Sequence, residues 1–205
     1  MSNTDYIRIK CVLLGDANVG KTSIVLRFLK NRFTEHSEST IGCAFNNCVL
    51  DVEKNKYKID IWDTAGQERY RGLMPMYYRN ADIVFLCVNL SENNVERVVE
   101  NYKFWKSQID KHNDYDKRLI FLVGTKSDIK NSHFDSEEKV RSILDENNFN
   151  YIETSSKDDL GVKDLFNEAV RGVSQVRNIE ENSIIVKKVD THSSWYSSMS
   201  FCNIL

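Results

Sequence analysis

Residues 15–22 could bind phosphate, because they fit the pattern G-x-x-x-x-G-K-[ST] without a gap. Glycine accepts backbone torsions and close approaches that a side chain would block, so the backbone N–H groups of this loop can surround an anion. The Lys21 ammonium can reach the terminal phosphates of a nucleotide, and the Thr22 hydroxyl can ligate Mg²⁺. A glycine turn without a ligand is the alternative. The predicted contacts are Gly15, Ala17, Asn18, Val19, Gly20, Lys21, Thr22 and Ser23.

A second polar stretch, residues 63–68, directly follows a predicted strand that ends at Trp62. The Asp63 carboxylate can hold Mg²⁺ through water, Gly66 offers an unobstructed N–H to a γ-phosphate, and Gln67 could orient an attacking water. Taken singly, Asp63 could instead cap a helix, and Gln67 could be an ordinary solvated loop residue.

A third polar stretch, residues 124–128, could recognise a nucleotide base. A carboxylate such as Asp128 can accept hydrogen bonds from both the N1–H and the exocyclic amine of guanine, a donor pair that adenine lacks. Residues 154–157 follow the next strand and can offer a backbone N–H to guanine O6. Thr-Lys-Ser-Asp alone could be an ordinary polar turn, but four such segments in order, each at a strand end, favour a nucleotide site. The predicted base contacts are Thr125, Lys126, Asp128, Ser155, Ser156 and Lys157.

Strands and helices alternate along the chain, which predicts an α/β protein: a P-loop fold with a mostly parallel six-stranded sheet and helices on both faces. The second and third strands are joined by residues 53–56 and should form an antiparallel hairpin. Residues 31–42 form a long polar loop of the kind that is often functional. Predicted strands span 7–14, 43–52, 57–62, 83–88, 119–123 and 151–153, and predicted helices span 23–29, 74–79, 95–111, 137–147 and 162–176.

Composition excludes several classes of protein. The net charge of −2 over 205 residues gives no electrostatic basis for binding nucleic acid. The five cysteines are odd in number and form no C-x-x-C, which indicates a reducing compartment rather than a disulfide framework or a zinc site. We expect no spanning helix, no secretory signal and no N-myristoyl group.

Over residues 6–176 the chain resembles the Ras superfamily of small GTPases. The resemblance implies GTP or GDP with Mg²⁺ as the bound group and Gln67 as the catalytic residue that positions water. It implies that Thr40 senses the γ-phosphate and that Phe33 packs edge-on against guanine, although Phe33 could also anchor its loop to the core. The implied metal ligands are Thr22, Thr40 and Asp63.

Within that superfamily the chain is similar to Rab proteins, and residues 40–45 and 74–78 look most like the early-endosomal branch. The resemblance implies a switch that hydrolyses GTP slowly and regulates vesicle and endosomal membrane trafficking by recruiting effectors in the GTP state. Phe45, Trp62 and Tyr77 fall at the positions of the aromatic triad that contacts effectors in Rabs, with core packing as the alternative for Trp62. The matching stretches are residues 41–45, 58–68, 69–73 and 77–81.

Three residues depart from the family pattern. Ala17 stands where Ras has a glycine, so its methyl group can crowd Gln67 or an incoming arginine. Thr125 replaces the usual Asn of N-K-x-D, which should remove a contact to guanine N7 and a tie to the phosphate loop. Ser156 replaces the usual Ala, with little expected effect, because its role is through the backbone N–H.

The helical pattern fails from about Arg177, so we predict a GTPase domain over 1–177 and a flexible hypervariable tail over 178–205. The final residues 202–205 have the shape of a prenylation box, in which Leu205 favours geranylgeranyl on Cys202. Asn203 is not aliphatic, and an accidental cysteine is the alternative. One lipid with a weak basic patch gives reversible anchoring. The expected location is the cytosol and the cytoplasmic face of endosomal or vesicle membranes.

The resemblance also implies partners: a GTPase-activating protein, an exchange factor, a GDP-dissociation inhibitor or escort protein, and GTP-state effectors. We expect a monomer that binds no nucleic acid. No catalytic arginine in cis can be assigned from the sequence, so turnover should depend on a partner that supplies one. The alternatives are a non-hydrolysing nucleotide-dependent binding module, in which Ala17 and Thr125 spoil catalysis, and a P-loop kinase of small molecules. A kinase has no reason to carry both residues 63–67 and residues 125–128.

Overall fold

A computed structural model describes residues 6–35, 38–92, 95–111, 118–129 and 150–193, with the backbone alone for 95–98 and 178–193. Among these residues no helix has the length and apolar character needed to cross a membrane. Two short 3₁₀ helices, Glu68–Leu73 and Ser127–Ile129, follow the third and fifth strands. The remaining elements are β1 Ile7–Leu14, α1 Lys21–Lys30, β2 Cys43–Val52, β3 Asn55–Thr64, α2 Met74–Tyr78, β4 Ile83–Asn89, α3 Val95–Lys111, β5 Leu119–Thr125, β6 Asn150–Glu153 and α4 Val162–Ser193.

The sheet has six strands in the order β2-β3-β1-β4-β5-β6. Only the β2–β3 pair is antiparallel, and the other four pairings are parallel. The register places Leu13 beside Asp63 and Asn89 beside Thr125. The parallel strands therefore end at a common edge, which is where ligands bind in open sheets of this kind. The predicted fold class is confirmed.

Two hydrophobic clusters cover the two faces of the sheet, because successive side chains on a strand point to opposite sides. Along β4, Phe85 packs with α1 and α4, whereas Leu86 packs with α2 and α3. On the first face, the rings of Phe28 and Phe166 stack with their centroids 3.7 Å apart, and Phe85 meets Phe166 edge-on at 5.2 Å. Burying a phenylalanine side chain contributes about 1.5–3 kcal/mol, so these rings fix α1 and α4 against the sheet.

Three predicted segments differ from the structure. The hairpin turn is only residues 53–54, with Glu53 at a φ of 56°, because the cross-strand ladder continues to the pair Val52–Asn55. The polar stretch 63–68 begins inside β3, and its last residue begins the 3₁₀ helix Glu68–Leu73.

The last helix was expected to end at residue 176, but α4 continues to Ser193. Residues 178–193 contain neither proline nor glycine and include glutamate and lysine, so their intrinsic preference allows the helix to continue. The domain boundary at 177 stays a prediction. The predicted helix over 137–147 and the predicted lipidation site Cys202 lie outside the described residues.

Candidate nucleotide-binding site

A cavity of about 390 Å³ opens at the edge where β1, β3 and β5 end. Its walls come from all four sequence segments that were predicted to bind a nucleotide, together with the loop before β2. The predicted residues that line it are Ala17, Asn18, Gly20, Lys21, Thr22, Ser23, Phe33, Thr40, Gly66, Gln67, Thr125, Lys126, Asp128, Ser156 and Lys157.

Two glycines shape the end of the cavity formed by residues 15–22, which we call the phosphate end after its predicted ligand. Gly15 has a φ of 141°, and a Cβ there would lie 2.4 Å from the carbonyl oxygen of Cys87 in β4. Gly20 precedes the first residue of α1 with a φ of 98°, which favours glycine. The N-terminus of α1 therefore opens into the cavity with its backbone N–H groups and its positive helix dipole, an arrangement suited to an anion.

The Lys21 side chain is buried at the base of this loop. Its ammonium donates to the carbonyl oxygens of Gly15 at 2.8 Å and Asp16 at 2.7 Å. Burial lowers the pKa of Lys21, and the Cys87, Asp63 and Asp16 groups oppose that shift. The ammonium is thus held in the phosphate loop by main-chain acceptors, where it can meet a phosphate oxygen at the N-terminus of α1.

Three side chains with oxygen atoms that could ligate a metal ion meet beside Lys21. The hydroxyl oxygens of Thr22 and Thr40 lie 2.8 Å apart, and Asp63 is 1% exposed with one carboxylate oxygen that has no hydrogen-bond partner among the described residues. Burial raises the pKa of Asp63, against the opposing effects of Thr22, Lys21 and Thr40. A buried carboxylate oxygen without a partner, next to hydroxyl groups, fits the oxygen ligands that Mg²⁺ prefers. The described residues hold no group of three His, Cys, Asp or Glu side chains that could bind a metal.

The segment after β3 lies directly against the phosphate loop. A Cβ on Gly66 would be 2.3 Å from the carbonyl carbon of Asp16 and 2.4 Å from the nitrogen of Ala17. Only glycine permits this contact. Gln67 follows, lines the cavity and precedes the 3₁₀ helix, where its side chain can approach the phosphate end.

The opposite end of the cavity, which contains Asp128 and which we call the base end after its predicted ligand, is held by hydrogen bonds between the segments that follow β5 and β6. The Ser155 hydroxyl donates to Asp128 Oδ1 at 2.7 Å and accepts from the Asp158 N–H at 3.0 Å. Lys126 has a φ of 58°, which turns the chain after β5 toward the cavity. Across the cavity mouth, Lys157 Nζ lies 3.6 Å from Glu35 Oε1 in the loop before β2.

Thr125 retains a tie to the phosphate loop, so the expectation that threonine would remove this tie is wrong. Its hydroxyl oxygen lies 2.5 Å from the carbonyl oxygen of Val19 and 3.0 Å from that of Val88. A hydroxyl carries one proton, so it serves these two acceptors in turn. Thr125 is 3% exposed, and its short side chain lies beside Gly20, where an added Cβ would be in ordinary contact at 3.8 Å from the Thr125 hydroxyl oxygen. The loss of a contact to guanine N7 stays a prediction.

Four predicted residues lie behind the cavity wall rather than in it. Gly15 and Val19 supply carbonyl acceptors to Lys21 and Thr125, and Asp63 and Ser155 are buried. The sequence reasoning missed Arg27, whose Nε donates to the Ser156 carbonyl. It also missed six lining residues, most of them in the polar loop that it had marked as functional: Thr34, Glu35, Glu38, Ser39, Thr64 and Ile129.

An aromatic cluster lies beside the polar loop of residues 31–42 and consists of Phe45, Trp62 and Tyr77. The rings of Phe45 and Trp62 meet edge-on at 5.2 Å, and those of Trp62 and Tyr77 lie 6.0 Å apart. Trp62 and Tyr77 pack partly against the core, whereas Phe45 is 52% exposed. Nearby Ile41 and Met76 are 80% and 70% exposed. The cluster therefore has both a core-facing side and a surface side.

Comparison with known proteins agrees with this geometry. A family model described as the Ras family matches residues 10–175. The chain is 37% identical to the Ras-related protein RABF2a of Arabidopsis thaliana over 87% of its own length and 88% of that protein. It is 36% identical to the Ras-related protein Rab5 of Nicotiana tabacum over 80% of each chain, and 34% identical to the Ras-related protein Rab-9B of Mus musculus over 95% and 96%. The chain therefore belongs to the Ras family as a Rab-type small GTPase, which binds guanine nucleotide and hydrolyses GTP.

Proposed function

We propose that the cavity binds GDP and GTP with Mg²⁺, with the phosphates at Lys21 and the guanine at Asp128. The observation that supports this most strongly is that one cavity joins the phosphate loop, the Thr22 and Thr40 hydroxyls and the Asp128 carboxylate, with the buried Asp63 behind its wall. A phosphate site alone would suit any nucleotide, whereas the carboxylate at the far end selects guanine.

Each proposed role follows from the position of the side chain. Thr22, Thr40 and Asp63 would hold Mg²⁺, which, when bound, neutralises charge on the β- and γ-phosphate oxygens. Thr40 and Gly66 bring two loops to the γ-phosphate, so its loss on hydrolysis would release both loops. Gln67 would orient the attacking water.

A partner is proposed to complete catalysis. No arginine is among the described residues that line the cavity, so the charge that develops on the transferred phosphoryl group has only Lys21 and the metal beside it. An activating protein that inserts an arginine would supply the missing stabilisation. An exchange factor and a GDP-dissociation inhibitor or escort protein would control nucleotide release and membrane cycling.

The aromatic cluster is proposed as the effector site. It lies on β2, β3 and α2, which flank the loop that carries Thr40, and its exposed members offer the apolar and aromatic surface typical of interface centres. Effector binding would depend on nucleotide state because Thr40 moves with the γ-phosphate. Phe45→Ala should remove effector binding without changing GTP affinity.

Membrane attachment through Cys202 is the remaining proposal, and the Rab5-type relatives favour an endosomal membrane. A C20 prenyl chain contributes about 0.8 kcal/mol per buried methylene, so it can hold a folded domain at a bilayer. Cys202→Ser should release the protein from membranes in a flotation assay. Mass spectrometry of the C-terminal peptide would identify the lipid, and an unmodified Cys202 in membrane-bound protein would contradict the proposal.

Competition binding tests the nucleotide assignment. Unlabelled GTP should displace labelled GDP, and ATP should not. Asp128→Ala should weaken guanine binding specifically. Equal displacement by both nucleotides would contradict the assignment.

A further inference from the structure

Arg27 joins the phosphate-binding helix to the loop at the base end of the cavity. It lies in α1, and its guanidinium donates from Nε to the Ser156 carbonyl at 2.7 Å and from Nη2 to the Lys157 carbonyl at 3.1 Å. Nη1 donates to Asn31 Oδ1 at 2.8 Å. The Arg27 side chain is only 13% exposed, and Asp159 Oδ1 lies 3.9 Å from its Nε. A planar guanidinium can hold two adjacent carbonyls in this way, which an ammonium cannot.

The contacts continue from this loop to Asp128. In a trans peptide a carbonyl and the following N–H point in opposite directions, so the bond from Arg27 to the Lys157 carbonyl directs the Asp158 N–H away from α1. That N–H donates to Ser155 Oγ at 3.0 Å, and Ser155 Oγ donates to Asp128 Oδ1 at 2.7 Å. A continuous chain of hydrogen bonds therefore runs from Arg27 through one peptide unit and one hydroxyl to the carboxylate.

We propose that Arg27 is a positioning residue for guanine recognition, which fixes the orientation of the Asp128 carboxylate through the Lys157–Asp158 peptide and the Ser155 hydroxyl. The proposal rests on the proposed role of Asp128. Ser155 is fully buried, so its hydroxyl has a fixed donor and a fixed acceptor. Bonds in such a chain polarise one another, so a positive charge at one end strengthens the bond to the negative charge at the other. A carboxylate with one oxygen held presents the other in a defined direction.

The test compares affinities for GDP and IDP, because inosine lacks the exocyclic amine that a carboxylate at position 128 would read. Arg27→Met keeps the length of the side chain but removes its donors, and should lower the GDP/IDP affinity ratio about 3- to 10-fold, the range of one net hydrogen bond. Arg27→Lys should lower the GDP/IDP ratio as well, because lysine keeps the positive charge but cannot hold both carbonyls in the geometry of a guanidinium. Ser155→Ala should lower it by a similar factor, and the double variant should lose no more than either single variant.

The matched control is Arg177→Met. Arg177 also holds a carbonyl and a carboxylate, Arg8 O at 3.1 Å and Asp82 Oδ1 at 2.8 Å. Neither of these partners lines the cavity, whereas both carbonyl partners of Arg27 belong to residues that do. Its replacement should lower the unfolding temperature and leave the GDP/IDP ratio unchanged.

The proposal is overturned if Arg27→Met lowers GDP and IDP affinity by the same factor, or lowers neither. If Arg27→Met does not fold, an unchanged ratio in Arg27→Lys overturns it. The Asp128→Ala variant shows whether the inference about Arg27 alone is wrong, or whether the assignment of Asp128 to guanine is wrong as well. A ratio that falls in Asp128→Ala but not in the Arg27 variants overturns the inference alone, whereas a ratio unaffected by Asp128→Ala overturns both.

Discussion

The phosphate end and the base end of the cavity are built in different ways. At the phosphate end the contacts are main-chain groups and two charged side chains that are almost wholly buried, Lys21 at 5% and Asp63 at 1% exposed. At the base end the charged groups are more exposed: Asp128, in the short 3₁₀ helix Ser127–Ile129, is half-buried, and the Lys157 side chain is 50% exposed. Backbone conformation therefore fixes the geometry of the phosphate end, whereas hydrogen bonds between side chains of separate segments fix the geometry of the base end.

This difference accounts for two of the three departures from the family pattern, Thr125 and Ser156, which lie at the base end, whereas Ala17 lies at the phosphate end. The phosphate end tolerates little change, because a Cβ on Gly66 or Gly15 would collide with backbone atoms. The base end accommodates Thr125, because a shorter side chain still reaches Val19. Substitutions at the phosphate end should therefore change binding of every nucleotide, whereas those at the base end should change the preference for guanine.

Lys21→Met should have the largest effect. It removes a charged donor from the phosphate end and should lower the affinity for GDP and ADP alike by more than about 100-fold, as expected for lost charge-assisted hydrogen bonds. Isothermal titration with both nucleotides measures it. A loss confined to GDP would contradict the division between the two ends.

Gln67→Leu should change hydrolysis but not binding. If Gln67 orients water at the phosphate end, activated GTP turnover should fall about 100-fold, the cost of a misplaced reactant, at unchanged GTP affinity. Phosphate release in the presence of an activating protein measures the rate. Unchanged turnover would show that another group, such as one supplied by the partner, orients the water.

Removal of Mg²⁺ should loosen only the phosphate end. If Thr22, Thr40 and Asp63 hold Mg²⁺ as proposed, EDTA should speed GDP release about 10-fold or more, because these residues and the phosphates would no longer share an ion. The GDP/ADP affinity ratio should stay constant. Asp63→Ala, which lacks the proposed ligand, should respond less to EDTA, and an equal response would argue against Asp63 as a ligand.

Thr125→Val should have a smaller effect, because one hydrogen bond links the two ends. GDP affinity should fall about 5-fold, and Thr125→Ser should restore it. Thr154→Val is the matched control, since Thr154 is also fully buried and donates to the Gly124 carbonyl at 3.1 Å, but does not line the cavity. An equal loss of GDP affinity in Thr154→Val would show that the effect of Thr125→Val comes from lower stability of the fold and not from the hydrogen bond between the two ends.

The sequence was sufficient to predict the sheet, the presence of the four described α-helices and most of the cavity wall. Those features depend on local signals: alternating apolar runs for the strands, and a glycine loop whose torsions fix the phosphate end. The ties of Thr125 to Val19 and of Arg27 to Ser156 were not predictable, because each joins residues more than 100 positions apart through one particular rotamer. The continuation of α4 to Ser193 was missed because polar residues without a clear periodicity can still be helical.

Titration of wild type and Asp128→Ala with GDP, ADP and pyrophosphate tests most directly whether the two ends act separately. Loss of the carboxylate should lower GDP affinity by about 10- to 100-fold, the cost of hydrogen bonds to a charged group. Affinities for ADP and pyrophosphate, which use the phosphate end, should stay within about 2-fold of wild type, a difference well below one hydrogen bond. A parallel fall in all three affinities would contradict the proposed division of the cavity.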